Sequence, residues 1–274
     1  MLFDADRAHL GVPPSGALDP DALSLANRLV GNAEEAAGLE VLLGGVRLTV
    51  EQSSRIAVTG AQLPPTVQGR AVPWGQAVSV GAGETVELGR APTGLRSWLA
   101  FAGGIDVPPV LGSRSTDVLT GIGPPALTVG GRLRIGEPPV STPEGSAVPM
   151  PMTAEVVTLR MALGPRDDWF TPAAVEQLFA GEYAVSPAAD RTALRLEGAA
   201  LERRHDDELA SEGLVTGAVQ VPASGQPLVF LADHPVTGGY PVVGVVDRTS
   251  VKRCAQLRPG DRVRFEPVRR GAPR

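Results

Sequence analysis

The sequence predicts a mostly β protein with a few short helices, folded as two domains. Three observations predict it. Short apolar runs recur along the chain with period-two alternation, plainest in Val78 and Val80 and in Arg262 and Arg264 against Val263 and Phe265. The 33 glycines and 26 prolines of the 274 residues are spread between those runs, as tight turns joining strands require. Near the midpoint, "EPPVSTPEGSAVPMP" is rich in Pro, Ser and Thr and has no period. It reads as a linker over 139–153 between an N-terminal domain over 1–138 and a C-terminal domain over 154–274.

Taken in order, the start "MLFDADRAHLG" carries Asp4 and Asp6 and no apolar stretch of the kind a signal segment needs. A helix follows, with Asp19 as cap, Pro20 at its first position, Ala22, Leu25, Ala26 and Leu29 on one face, and Gly31 past its end. Asn32 and Glu35 have the spacing of a capping box for one more helical turn. Strands are expected in "VRLTV", "RIAVTGA", "AVSVGAGETVELG", "RSWLAFAGGIDV" and "RLRIGE". Beyond the linker come the strand "EVVTLRMALG" and a second helix from its cap Thr171 to its stop Gly181. The strands "GAVQVP", "PLVFLAD", "PVVGVV" and "DRVRFEPV" complete the chain. Each half closes on a turn and a strand with alternating arginines, "GGRLRIGE" and "LRPGDRVRFEPV", which suggests duplication of one β-barrel unit.

Composition excludes several function classes. A net charge of -5 offers no pull toward nucleic acid or an anionic membrane, and the basic end "RVRFEPVRRGAPR" reads as a solvated tail. No apolar run approaches the roughly 20 residues that span a bilayer. One cysteine, Cys254, allows neither an internal disulfide nor a paired-cysteine metal site, and it points to the reducing cytoplasm. Lys252 is the only lysine, so neither a phosphate-loop lysine nor a biotin-carrying lysine is expected here. His9, His205 and His234 stand apart in the sequence, and no metal site is expected. "PASGQP" has Pro222 where a nucleophile elbow needs its first glycine, which argues against an α/β-hydrolase triad.

Residues 217–246 mix strand residues with rigid polar turns. Alternation sends Val219 and Val221 to the core and Gln220 to the other face, beside the Ser224-Gly225-Gln226 turn fixed by Pro222 and Pro227. Gly225 would let backbone N–H groups approach a ligand, and the amide and hydroxyl donors suit a planar amide or carboxylate. Asp233 ends the next strand, where it can orient a donor or accept a proton. Thr237, Gly238 and Gly239 bring the chain close, and Tyr240 has a hydroxyl to donate. Arg114 and Arg191 are candidates to hold an anion, because guanidinium matches a carboxylate bidentately. Bland readings stand beside these. Polar turns are ordinary in β proteins, surface ion pairing accounts equally for the two arginines, Ser115 and Asp117 can cap a turn, and Glu212 in "SEG" reads as holding one.

"LGVPPSGALDPDALSLANRLVGN", "LEVLLGGVRLTV", "AFAGGIDVPPVLGSRSTDVLTGIGP", "RDDWFTPAAVEQLFAGEYAVSPAADRTALRLEG" and "SEGLVTGAVQVPASGQPLVFLADHPVTGGYP" follow one another over most of residues 10 to 265. In that order they resemble the allophanate hydrolase subunit 2 family, also called the C component of 5-oxoprolinase, biotin-dependent carboxyltransferase-like or Kip antagonist. Where many members read Gln-Thr-Thr-Gly-Gly-Tyr-Pro, this chain has Pro235-Val236-Thr237-Gly238-Gly239-Tyr240-Pro241.

The resemblance implies two cyclophilin-like β-barrel domains. It also implies two partner proteins, a B component of the allophanate hydrolase subunit 1 or Kip inhibitor type, and an A component. Together these open a small-molecule amide, 5-oxoproline, to glutamate at the expense of ATP. The chain is then one subunit of a hydrolase acting on carbon-nitrogen bonds, inactive alone, with no cofactor of its own and ATP used through a partner. On that reading Gln220, Asp233 and Tyr240 are catalytic, while Arg114, Arg191, Ser224, Gly225, Gln226, Thr237, Gly238 and Gly239 bind substrate. Two other readings stay open: a regulatory binding protein that antagonises a kinase inhibitor, and the carboxyltransferase component of a urea carboxylase-like system.

Overall fold

Helix α1, Pro20–Val30, begins and ends where its punctuation predicts: the Asp19 carboxylate accepts from the Ala22 N–H at 3.0 Å, and Gly31 leaves the helix at φ 87°. The expected second turn of helix does not form. Asn32 Nδ2 instead donates to the carbonyl of Phe101 at 2.7 Å, while its Oδ1 accepts from the Gly103 N–H at 2.8 Å. The side chain that would have capped a helix ties the end of α1 to a strand.

The computed structural model describes residues 5–139, 155–205 and 207–268. Apart from Pro139, the expected linker lies outside the described residues. The chain divides into two units, one of Asp19–Thr116 and Ile122–Thr153, the other of Leu2–Leu18, Asp117–Gly121 and Ala154–Arg274. It is mostly β with three short α-helices.

The first unit holds β1 Leu39–Leu42, β2 Val46–Thr49, β3 Ser54–Gly60, β4 Pro65–Val67, β5 Arg70–Ala71, β6 Val78–Val80, β7 Thr85–Leu88 and β8 Arg96–Phe101. They form two four-stranded sheets, β1-β8-β3-β6 and β2-β7-β4-β5. Alternation decides what each face of the first sheet buries. Ile56, Val58, Leu99 and Phe101 join Val86 and Leu88 of the second sheet in one core, whereas Ala57, Ala100 and Ala102 meet Ala26, Leu29 and Val30 of α1. Each large core side chain contributes about 1.5–3 kcal/mol by burial, and the alanines on the reverse let the helix lie close. "RLRIGE" is not a strand among the described residues; Ile135 makes one isolated bridge to Ile105. The closing strand that suggested duplication is therefore not repeated in the two halves.

The second unit holds β9 Val156–Leu163, α2 Pro172–Ala180, β10 Glu182–Val185, β11 Ala193–Glu197, β12 Glu212–Gly213, β13 Ala218–Gln220, β14 Leu228–Phe230, β15 Thr237–Gly238, β16 Val242–Val246, α3 Arg248–Cys254 and β17 Arg262–Pro267. Seven of its strands close a barrel in the order β10-β11-β14-β13-β16-β9-β17. Alternate residues of the barrel strands, among them Leu159, Tyr183, Leu194, Val219, Val229, Val263 and Phe265, are buried. Gly244 has no room for a side chain, since a Cβ there would stand 2.1 Å from the Met161 methyl and 2.6 Å from the Ala162 carbonyl. A second cluster, formed by Ala193, Leu214, Ala218, Leu228, Phe230 and Val242, carries the small β12-β15 sheet.

Helix α3 is not anticipated from the sequence. Asp247 caps it through the Ser250 N–H at 2.7 Å, and only Val251 and Cys254 among its apolar residues turn inward, too few to show a period. Burial pushes the Cys254 thiol up to about 12. No described helix is long and apolar enough to cross a membrane.

Candidate active site

The register of β13 fixes the polar face of the second unit. Val219 and Val221 are both 0% exposed, which leaves Gln220 on the opposite side. Its Nε2 donates to the backbone carbonyl of Tyr240 at 3.0 Å. Beside it runs β15, paired with β12 so that Gly238 faces Glu212 and Thr237 faces Gly213. A Cβ on Gly238 would lie 2.8 Å from both Gln220 Nε2 and a Leu214 methyl, so glycine is what lets this strand pass over Gln220.

Tyr240 stands out from this platform with 48% of its surface exposed. The Arg203 guanidinium lies over its ring, Cζ 5.7 Å from the centroid, and Arg203 Nη2 donates to the Val221 carbonyl at 2.5 Å. Arg166 is anchored alongside by its own N–H to the Val242 carbonyl at 3.0 Å. Its Nε reaches Glu212 Oε1 at 2.9 Å and Oε2 at 3.1 Å, and its Nη2 also bonds Oε1. The hydrogen bond to Arg166 holds the Glu212 carboxyl below the usual carboxylate range, and the same contact raises Arg166. Glu212 is an ion-pair partner that braces the β12 end.

Ser224, Gly225, Gln226 and Arg114 make contacts of their own. Ser224 is exposed, and Gly225 sits at φ 74° with its Cβ position 2.9 Å from the Ala200 methyl and 3.1 Å from the Leu201 nitrogen. The close approach at Gly225 is thus to the chain's own 200–201 segment. Gln226 uses both ends of its amide on Gly198, accepting from its N–H at 2.8 Å and donating to its carbonyl at 3.0 Å. The amides of Gln220 and Gln226, expected to hold one ligand, are each engaged by backbone, at Tyr240 and at Gly198. Thr237 and Gly239 are exposed beside Tyr240. Arg114 belongs to the first unit, where Nε donates to the Val107 carbonyl at 2.7 Å and Nη2 lies 3.9 Å from Asp106.

Asp233 is wholly buried and held bidentately by Arg191 through Nε–Oδ2 at 2.9 Å and Nη2–Oδ1 at 3.1 Å. Ser15 Oγ donates to the same carboxylate at 2.7 Å and the Val118 N–H at 3.1 Å. With four donors converging, Asp233 is an anchor for charge, and the proton-handling expected of it with Tyr240 has no geometry to support it. Arg191 is correspondingly committed, also donating to the Gly16 carbonyl at 2.5 Å. Asp117, 0% exposed, caps its own turn through the N–H groups of Leu119 and Thr120, both at 3.1 Å.

Next to this anchor His234 is buried, its Nδ1 2.8 Å from the Pro235 carbonyl. Burial lowers its pKa below 6.5, partly offset by the Pro235 hydrogen bond and by the charges of Asp233 and Asp117. In the unfolded chain the ring titrates near 6.5. Stability from keeping it neutral is therefore present above pH 6.5 and declines as pH falls through the folded value. His234→Gln should flatten the slope of unfolding free energy just below pH 6.5, measured by urea titration; an unchanged slope refutes the assignment.

Sequence reasoning alone misses Arg203, Arg166, Ser15 and Val118. "LERRHDDE" reads locally as a charge run, and the partners of Arg203 lie 18 and 37 residues away. Among the described residues no group of three or more His, Cys, Asp or Glu side chains is placed to hold a metal ion.

Residues 10–267 match the family model described as carboxyltransferase domain, subdomain A and B. The chain is 38% identical to the C component of the 5-oxoprolinase of Escherichia coli (strain K12) over 93% of its own length and 83% of that protein. Its fold superposes on the urea amidolyase of K. lactis with a TM-score of 0.88 at 28% identity, covering 94% of this chain and 17% of that one. The Kluyveromyces lactis urea carboxylase gives a TM-score of 0.87 at 28% identity, covering 94% and 25%. The chain thus spans a quarter or less of each of these two solved structures.

Proposed function

The chain belongs to the carboxyltransferase domain family, subdomain A and B, and on that premise we propose that it is one subunit of a 5-oxoprolinase-type hydrolase, which opens a small amide with ATP used through a partner. The observation that carries this is the 38% identity, over 93% of this chain and 83% of the relative, to a protein named as the C component of 5-oxoprolinase.

Opening an amide requires a donor toward the carbonyl oxygen as negative charge develops and a proton for the departing nitrogen. On this chain the Tyr240 hydroxyl is the group suited to donate. It is exposed, hydrogen-bonds to no other described residue, and sits on backbone held by Gln220. Thr237 and Gly239 border it. Arg191 and Asp233 serve as internal framework. The A and B components supply the remaining groups and the ATP site, so this chain binds no cofactor and is inactive alone. The complex works in the cytoplasm, where the buried thiol of Cys254 stays reduced.

Reconstitution tests the proposal. The chain should co-elute with a B-component protein at micromolar concentration, and hydrolysis of 5-oxoproline should require both of these, the A component and ATP. Separate elution, or no turnover by the full set, overturns it. The similarity to urea carboxylase favours a second reading, a carboxyltransferase component. Avidin decides between the two: 5-oxoproline turnover untouched by it supports the hydrolase, whereas abolished turnover means that biotin carried elsewhere takes part.

A further inference from the structure

The arginines of the second unit differ in whether a carboxylate already holds them. Arg191 is bidentate to Asp233 and Arg166 to Glu212, so the charge of each is matched within the protein. Arg262 has Glu182 at 2.9 Å, and Arg160 has Asp247 at 3.9 Å. Arg203 has no acid partner among the described residues. Its guanidinium rests on the Tyr240 ring, one Nη2 hydrogen bond goes to the Val221 carbonyl, and its Nε is buried with no acceptor. That Nε is closed off from solvent, so a ligand meets the Nη hydrogens that the Val221 carbonyl does not use. The side chain is also placed in advance: the Val221 carbonyl and the aromatic face fix its plane, and the backbone bridge of Arg203 to Phe170 fixes its origin.

From this we propose that Arg203, stacked on Tyr240, is the binding site for the carboxylate of an anionic substrate, which sets its susceptible amide at the Tyr240 hydroxyl. Guanidinium is suited to this role because it stays charged and binds carboxylate through parallel N–H groups. Stacking on tyrosine leaves its edge for the ligand. The site prefers a substrate carrying both a carboxylate and an amide over a neutral amide such as urea. The inference rests on the proposed amide-opening function for its second half only; carboxylate capture by Arg203 stands without it.

The test uses the chain assembled with its B-component partner and two probes, 5-oxoproline and 2-pyrrolidinone, the same lactam without the carboxylate. Binding is measured calorimetrically, and turnover with the A component and ATP. Arg203→Gln should weaken 5-oxoproline binding by about 10- to 100-fold, in the range of a lost charged hydrogen bond. Arg203→Lys should fall between wild type and Arg203→Gln, and 2-pyrrolidinone should bind all three proteins equally and weakly. The Tm of each variant, read alongside, separates loss of the site from loss of the fold. Equal affinity of wild type and Arg203→Gln for 5-oxoproline overturns the proposal, as does failure of wild type to prefer the carboxylated probe. A complex that binds through Arg203 yet opens no lactam keeps this inference and refutes the hydrolase reading. Turnover with a KM indifferent to Arg203→Gln does the reverse.

Discussion

Replacing Asp233 by alanine is expected to lower the stability of the barrel unit by about 3–5 kcal/mol. The carboxylate is 0% exposed and receives four hydrogen bonds, two from Arg191, one from Ser15 and one from the Val118 N–H. Its removal takes the carboxylate 2.9 Å away from a guanidinium only 17% exposed, and removes an acceptor from the buried Ser15 hydroxyl and from the Val118 N–H. Exchanging both members of the pair for leucine should cost much less, because no uncompensated charge remains. Urea unfolding of Asp233→Ala, Arg191→Ala and the double leucine variant measures this. A loss below about 1 kcal/mol in the single variants would show that water reaches the pair and that the network is ornamental.

Tyr240→Phe is expected to reduce turnover of the assembled complex about 100-fold, the scale of one lost donor to a developing oxyanion, with the unfolding midpoint almost unmoved. Phenylalanine keeps the ring on which Arg203 lies and removes only the hydroxyl, which is exposed and bonded to no other described residue. Gln220→Ala makes a useful contrast. It acts one step removed, by freeing the Tyr240 carbonyl and opening space beneath Gly238, so it should lower both stability, by about 1–2 kcal/mol, and turnover. Full activity in Tyr240→Phe would place the chemistry on the partner and leave this face as a docking platform.

What was legible in the sequence was what local rules decide. Asp19, Pro20 and Gly31 mark α1 because capping and left-handed φ are properties of a few adjacent residues. Val219, Gln220 and Val221 declare their faces because the strand period is two. The four-residue strands β1 and β10 escape. Asn32 misleads because its side chain is used 69 residues away, on the Phe101 carbonyl. The same limit governs the site. Nothing near Arg191 reveals that Asp233 claims it from 42 residues on, and nothing near Gly225 reveals that its neighbour is Ala200. Arg203 was hidden among the charges around it, and only the three-dimensional pairing shows which arginines are already occupied.

The barrel unit is discontinuous in the chain, with Leu2–Leu18 and Asp117–Gly121 grouped with Ala154–Arg274. That gives its assembly a direction in time on the ribosome. Ser15 and Val118 are made first, but Asp233, the acceptor both require, emerges only after more than a hundred further residues. The earlier segments must wait, exposed, while the intervening unit can form from contacts already synthesised. Closure of the barrel around Asp233 is then a late event that captures both waiting strands of chain at once. A nascent chain halted before residue 233 would lack the carboxylate that both segments share.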